Sequence, residues 1–145
     1  SKQISGELAN VLGHVVQDDV YKELIAYLPD WQISKDSTMP GISHKKNKKG
    51  TTFDIVLISP QMNYYALEIS FQVTTNSTIE RKAREYFELY NNCKKRGHKL
   101  MYLIDGAGNF IRKVAANSLY DNSDYCISLG ENQVHSLAEY CQSYG

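Results

Sequence analysis

The chain has 145 residues, enough to enclose one core, and its 42% hydrophobic and 22% charged residues exclude a disordered, collagen-like or coiled-coil chain. Sixteen basic and sixteen acidic residues give a formal net charge of zero, which excludes a uniformly basic chain and makes local concentrations of charge the informative feature. Cys93, Cys126 and Cys141 have neither zinc-site nor disulfide spacing, no apolar run reaches the roughly 20 residues a bilayer requires, and the N-terminus lacks the basic-then-apolar order of a signal peptide; a soluble, cytoplasmic protein is expected.

In chain order, Leu8, Val11, Leu12, Val15, Val16, Val20, Leu24, Ile25 and Leu28 recur at helical intervals up to Pro29, which predicts one long helix or two short ones. Lys35 to Gly50 is polar and basic with a Pro40-Gly41 turn signal, and predicts a loop. Its second half, His44-Lys45-Lys46-Asn47-Lys48-Lys49-Gly50, sets four lysines within five positions. Phe53 to Ile58 and Tyr64 to Val73, separated by a short connection after Ser59-Pro60, read as the two strands of an antiparallel hairpin.

Ser77 and Glu80 form a capping-box pattern, and Ile79, Ala83, Tyr86, Phe87 and Tyr90 carry a helical stripe to Gly97. Leu100 to Ile104 is a buried strand that breaks at Asp105-Gly106-Ala107-Gly108-Asn109, where a lone G-x-G without a third glycine reads as a turn. A short helix, a strand over Asp124 to Leu129 and a helix through Val134, Leu137, Ala138 and Cys141 complete the chain. This order predicts an α/β fold, a mixed central sheet with helices on both faces in three α/β/α layers. The connection from the second hairpin strand to Leu100–Ile104 should be parallel and right-handed.

Ionisable residues inside otherwise apolar strands need a reason to be there, and two stand out: Asp54 near the start of the first hairpin strand and Glu68 between Leu67 and Ile69 in the second. Alternation puts Ala66, Glu68, Ser70 and Gln72 on one face and Leu67, Ile69, Phe71 and Val73 on the other, so paired strands can bring the two acids together. Close carboxylates repel unless a cation lies between them, and hard oxygen donors suit Mg²⁺, which keeps waters and takes substrate phosphate as further ligands. Phosphodiester hydrolysis is the chemistry that follows. Taken singly, each acid reads as a solvent-facing residue at a strand edge. Scattered His14, His44, His98 and His135 have no partner at ligand spacing and read as packing or surface residues.

The stretch Phe53-Asp54-Ile55-Val56-Leu57, followed by Glu68-Ile69-Ser70-Phe71-Gln72, Thr74-Thr75-Asn76-Ser77 and Ile79-Glu80-Arg81-Lys82, resembles the catalytic core of type II restriction endonucleases of the PD-(D/E)xK superfamily. Tyr102 to Phe110 is similar to a further segment of such enzymes, and the likeness spans about Gly50 to Arg112. The resemblance implies a Mg²⁺-dependent DNA endonuclease, with Mn²⁺ as a substitute, acting on double-stranded DNA. It implies metal ligation by Asp54, Glu68, the backbone carbonyl of Ile69 and an acid of the N-terminal helix, assigned to Glu7. Phe53 replaces the expected proline, and Ser70 replaces the lysine expected two residues after Glu68. Ser70, Gln72 and Lys82 are the candidates to take over that lysine's work, Lys82 foremost because it carries charge.

Lys45, Lys46, Lys48 and Lys49 directly precede the Asp54 strand, and Arg81 and Arg84 open the following helix, so both basic groups are candidates for phosphate contact. The many tyrosines read as packing and interface residues, with DNA contact as the alternative for Tyr64 and Tyr65. Residues 1–145 read as one nuclease domain, either a homodimerising enzyme or part of a longer one. Two alternatives remain open: a nucleic-acid-binding module that has lost catalysis with its lysine, and a structure-specific nuclease such as a junction resolvase.

Overall fold

The computed structural model describes residues 2–42, 52–70, 76–104, 118–128 and 132–145, with side chains for all of these except 2–12, 70 and 76–83. The apolar repeat at the N-terminus forms a single helix, α1 (Lys2–Tyr27), rather than two. Val20, Leu24 and Leu28 are its buried stripe, continuing into the turn before Pro29.

Where the sequence predicts a loop from Lys35, the chain first makes a strand, β1 (Gln32–Ser37), which corrects that reading. Its register is Gln32 against Ile58 through Ser37 against Phe53 in the next strand. Only Ile33 and Ser37 are even partly covered, so β1 is an edge strand held by backbone pairing, and its polar sequence carries no periodic signal.

The predicted hairpin is present as β2 (Phe53–Ile58) and β3 (Tyr64–Ser70), antiparallel, with Ile58 against Tyr64 next to the turn. Met62 takes a left-handed conformation (φ 66°) in that turn, and its N–H donates to the Ser59 carbonyl. Helix α2 (Asn76–Lys95) follows and stops at Gly97, whose φ of 73° suits a residue without a Cβ. Strand β4 (Lys99–Ile104), a helical turn over 118–121, β5 (Tyr125–Ser128) and helix α3 (Gln133–Tyr144) complete the described chain.

The five strands lie in sequence order, β1-β2-β3-β4-β5. The first three pair antiparallel, and β3-β4 and β4-β5 pair parallel, so the sheet is mixed and β3 is the strand where the pattern changes. Alternate residues enter two separate cores. Ile55, Leu57, Leu67, Met101 and Leu103 pack with Val20, Leu24 and Leu28 of α1 and Val134, Leu137 and Cys141 of α3. Val56, Ala66, Leu100, Tyr102 and Ile104 pack instead with Cys93 of α2 and Leu119. Over the described residues the fold is therefore α/β, a mixed five-stranded sheet with flanking helices.

All three cysteines are free thiols. No helix among the described residues is long and apolar enough to cross a membrane. His98 is buried and its Nε2 lies 2.9 Å from the Pro40 carbonyl, a packing role of the kind expected for the histidines.

Candidate active site: carboxylates where two strands part

The β2–β3 ladder runs from Ile58–Tyr64 to Ile55–Leu67 and stops there. One step further, Asp54 faces Glu68, and side chains replace the backbone ladder. The Asp54 N–H donates to Glu68 Oε1 at 2.8 Å, and the Ile69 N–H donates to Asp54 Oδ2 at 2.8 Å. Each acid thus satisfies a backbone donor of the opposite strand that the interrupted ladder would otherwise leave unpaired. The structure brings together the two acids singled out in the sequence, on the face shared by Val56, Ala66 and Tyr102.

Both side chains are only partly exposed. Burial, reinforced by the charge of Asp54, pushes the Glu68 carboxyl up to about 8 against the opposing pull of the Asp54 N–H. Burial likewise raises the Asp54 carboxyl above its ordinary range; the Ile69 N–H opposes this and the charge of Asp36 adds to it. Glu68 therefore leans to its protonated form at neutral pH unless positive charge arrives. Among the described residues, Asp54 Oδ1 and Glu68 Oε2 accept no hydrogen bond. No three described His, Cys, Asp or Glu side chains converge as a complete metal cage.

Two residues that the sequence did not reveal complete the surroundings. Asp36 of β1 lies opposite Asp54, but the register passes from Lys35–Ile55 to Ser37–Phe53 and omits it. Asp36 adopts φ 49°, a left-handed conformation uncommon outside glycine. Gln17, buried on α1, donates through Nε2 to the Asp54 carbonyl at 2.9 Å and to Asp36 Oδ1 at 3.1 Å. The one legible trace was spacing: Gln17, Val20, Leu24 and Leu28 fall on one helix stripe, with a polar residue at its head. On the other flank Glu68 pairs with Tyr102 of β4, whose buried hydroxyl has no hydrogen-bond partner among the described residues.

Of the remaining candidates, Ile69 uses its N–H on Asp54, and Ser70 ends β3 with its backbone against Ile104. Arg84 is exposed on α2. For Glu7 on α1 and for Arg81 and Lys82 on α2, as for Ser70, the side chains lie outside those described; Gln72, Lys45, Lys46, Lys48 and Lys49 lie outside the described residues altogether. Tyr65 takes the packing role read for the tyrosines and not the alternative of DNA contact: it is buried, with its ring edge-on to Trp31 at 5.2 Å. Tyr64 is partly buried against His98.

A family model described as the BanI C-terminal domain matches residues 1–145. The type II restriction enzyme BanI of Aneurinibacillus aneurinilyticus is 37% identical over 142 residues, covering 97% of this chain and 40% of that protein. The type II restriction enzyme HgiCI of Herpetosiphon aurantiacus is 34% identical over 145 residues, covering 98% of this chain and 41% of that protein. The chain thus spans about two-fifths of the length of these relatives. No solved structure matches it.

Proposed function

The chain belongs to the BanI C-terminal domain family, and from that premise we propose that it carries the catalytic centre of a restriction-type endonuclease hydrolysing phosphodiester bonds of double-stranded DNA. The reading includes the three-layer α/β/α arrangement of the PD-(D/E)xK superfamily, which the two cores on alternate strand residues support. The observation that carries it is the reciprocal clasp of Asp54 and Glu68, which holds two acids together in a partly buried site where their charges oppose each other.

That donor set fits Mg²⁺. Each acid has one oxygen fixed by an amide and one left over, and Mg²⁺ is usually held by one or two carboxylates with water and phosphate completing its shell. Asp54 and Glu68 would hold the ion, with the Ile69 carbonyl and Glu7 as further donors; Mn²⁺ would substitute. When bound, such an ion lowers the pKa of water and neutralises charge on the phosphoryl group. The chain's own residues supply the rest. The Asp54 and Ile69 amides fix the carboxylates in place, Lys82 carries the positive charge missing at Ser70, and Gln72 and Ser70 are lesser water-positioning groups. Lys45, Lys46, Lys48, Lys49, Arg81 and Arg84 hold the DNA backbone, and cutting both strands calls for a homodimer or a larger enzyme. One observation favours a second reading, a binding module without catalysis: Ser70 stands where the superfamily has lysine.

Incubation with long, mixed-sequence DNA and Mg²⁺ or Mn²⁺ tests this. The protein is expected to cut, and Asp54→Asn and Glu68→Gln to slow cutting by more than about 100-fold while DNA affinity in chelator is kept. Binding without any nicking would leave the binding module standing, and cutting confined to four-way junctions would make the protein a resolvase.

A further inference from the structure

Asp54 is the residue of β2 whose backbone is held on both sides by side chains rather than by neighbouring strands. Its N–H goes to Glu68, its carbonyl accepts from Gln17, and its own carboxylate accepts from Ile69. Gln17 is 6% exposed and occupies the head of the α1 stripe that Val20, Leu24 and Leu28 continue as apolar core. Packing alone would favour an apolar residue there, because a buried carboxamide is costly unless it is hydrogen-bonded. Both N–H groups of its Nε2 have acceptors, the Asp54 carbonyl and Asp36 Oδ1. The second acceptor is available because Asp36, at φ 49°, steps out of the β1–β2 ladder at the position facing Asp54. A helix, an edge strand and a central strand thus converge on one peptide unit.

We propose that Gln17, anchored by Asp36, is a positioning residue that fixes the Asp54 peptide and thereby the presentation of the Asp54 carboxylate to the reacting phosphate. The assignment rests on the Asp54–Glu68 pair being the catalytic centre. Gln17 touches neither substrate nor metal in this scheme. It acts through the carbonyl of Asp54, so its loss should lower kcat and leave the KM for DNA unchanged. An electrostatic role for Asp36 alone would instead follow its charge, whereas a positioning role follows its acceptor oxygen, which asparagine keeps.

The test uses Gln17→Met, which preserves length and apolar packing but cannot donate, with cleavage kinetics and amide hydrogen exchange measured side by side. The expected result is an unchanged KM, a kcat lower by about tenfold, and exchange at the Asp54 and Ile69 amides faster by about tenfold, the scale of one missing hydrogen bond. Wild-type kcat, or unchanged exchange at both amides, would overturn the proposal. If the wild-type protein cuts no DNA, the nuclease reading fails, and exchange alone then decides the role of Gln17 by the same criterion. If Gln17→Met does not fold, Asp36→Ala and Asp36→Asn take its place. Asp36→Ala should speed exchange at the Asp54 amide and Asp36→Asn should restore much of the protection; equal effects of the two, or none, overturn the proposal.

Discussion

Glu68 is an acid whose protonated form the fold favours, and stability should follow from that. Its carboxyl is raised from 4.5 to about 8, so folding binds a proton that the unfolded chain has already released. The stability it contributes is complete below about pH 4.5 and is lost as pH rises through about 8, by up to roughly 1.4 kcal/mol per pH unit in that window. Asp54 is raised too and acts in the same direction. Metal-free protein should therefore melt at a lower temperature at pH 8 than at pH 5, and Glu68→Gln should flatten that slope. Mg²⁺ should raise the melting temperature more at pH 8, where the acids are charged, than at pH 5; a melting temperature indifferent to Mg²⁺ at pH 8 would speak against a metal site. Asp54 and Glu68 are legible in the sequence because a charge inside an apolar strand is conspicuous. Asp36 is not, since it lies in a polar stretch without contrast, and the role of Gln17 depends on a backbone angle that no residue type announces.

Among the elements, those with an apolar pattern can be read almost to their ends. Helices α2 and α3 each bury one face and carry a helical period, whereas the hairpin strands and β4 bury both faces and read as nearly continuous apolar runs. Strand β1 has no buried face of its own: its sequence Gln32-Ile33-Ser34-Lys35-Asp36-Ser37 is recruited by backbone pairing to β2, and only the partner strand could have revealed it. The choice between packing and DNA contact for Tyr64 and Tyr65 is not legible for a related reason, because a tyrosine in a strand carries no mark of which layer covers it. The segment of Lys45, Lys46, Lys48 and Lys49 belongs to this scale as well, since it joins β1 to β2 and so enters the strand bearing Asp54. Replacing all four by glutamine should weaken DNA binding and lower the slope of log affinity against log salt by about 0.9 for each phosphate that a lysine no longer neutralises. Binding unaltered at every salt concentration would make the segment a solvated loop and nothing more.

For the molecule as a whole, chain separation sets the order in which its parts can meet. Asp54 and Glu68 are 14 residues apart within one hairpin, whereas Gln17 lies 37 residues before Asp54 and the parallel pairing of β3 with β4 spans a whole helix. Short loops close more readily than long ones, so the two acids meet before the clamp and the parallel half of the sheet are in place to restrain them. Like charges then oppose each other at the start of assembly, in the very hairpin on which the rest of the sheet must grow. Before they are buried these carboxyls keep ordinary values of 4.5 and 3.8, so metal-free protein should refold faster near pH 4, where they take up protons, than at pH 8 in stopped-flow measurements, and Glu68→Gln should shrink that difference; equal pH sensitivity in the variant would place hairpin closure after the rate-limiting step. A pair of acids kept for chemistry would in that case act as a brake on folding, one that a divalent cation in the refolding buffer releases.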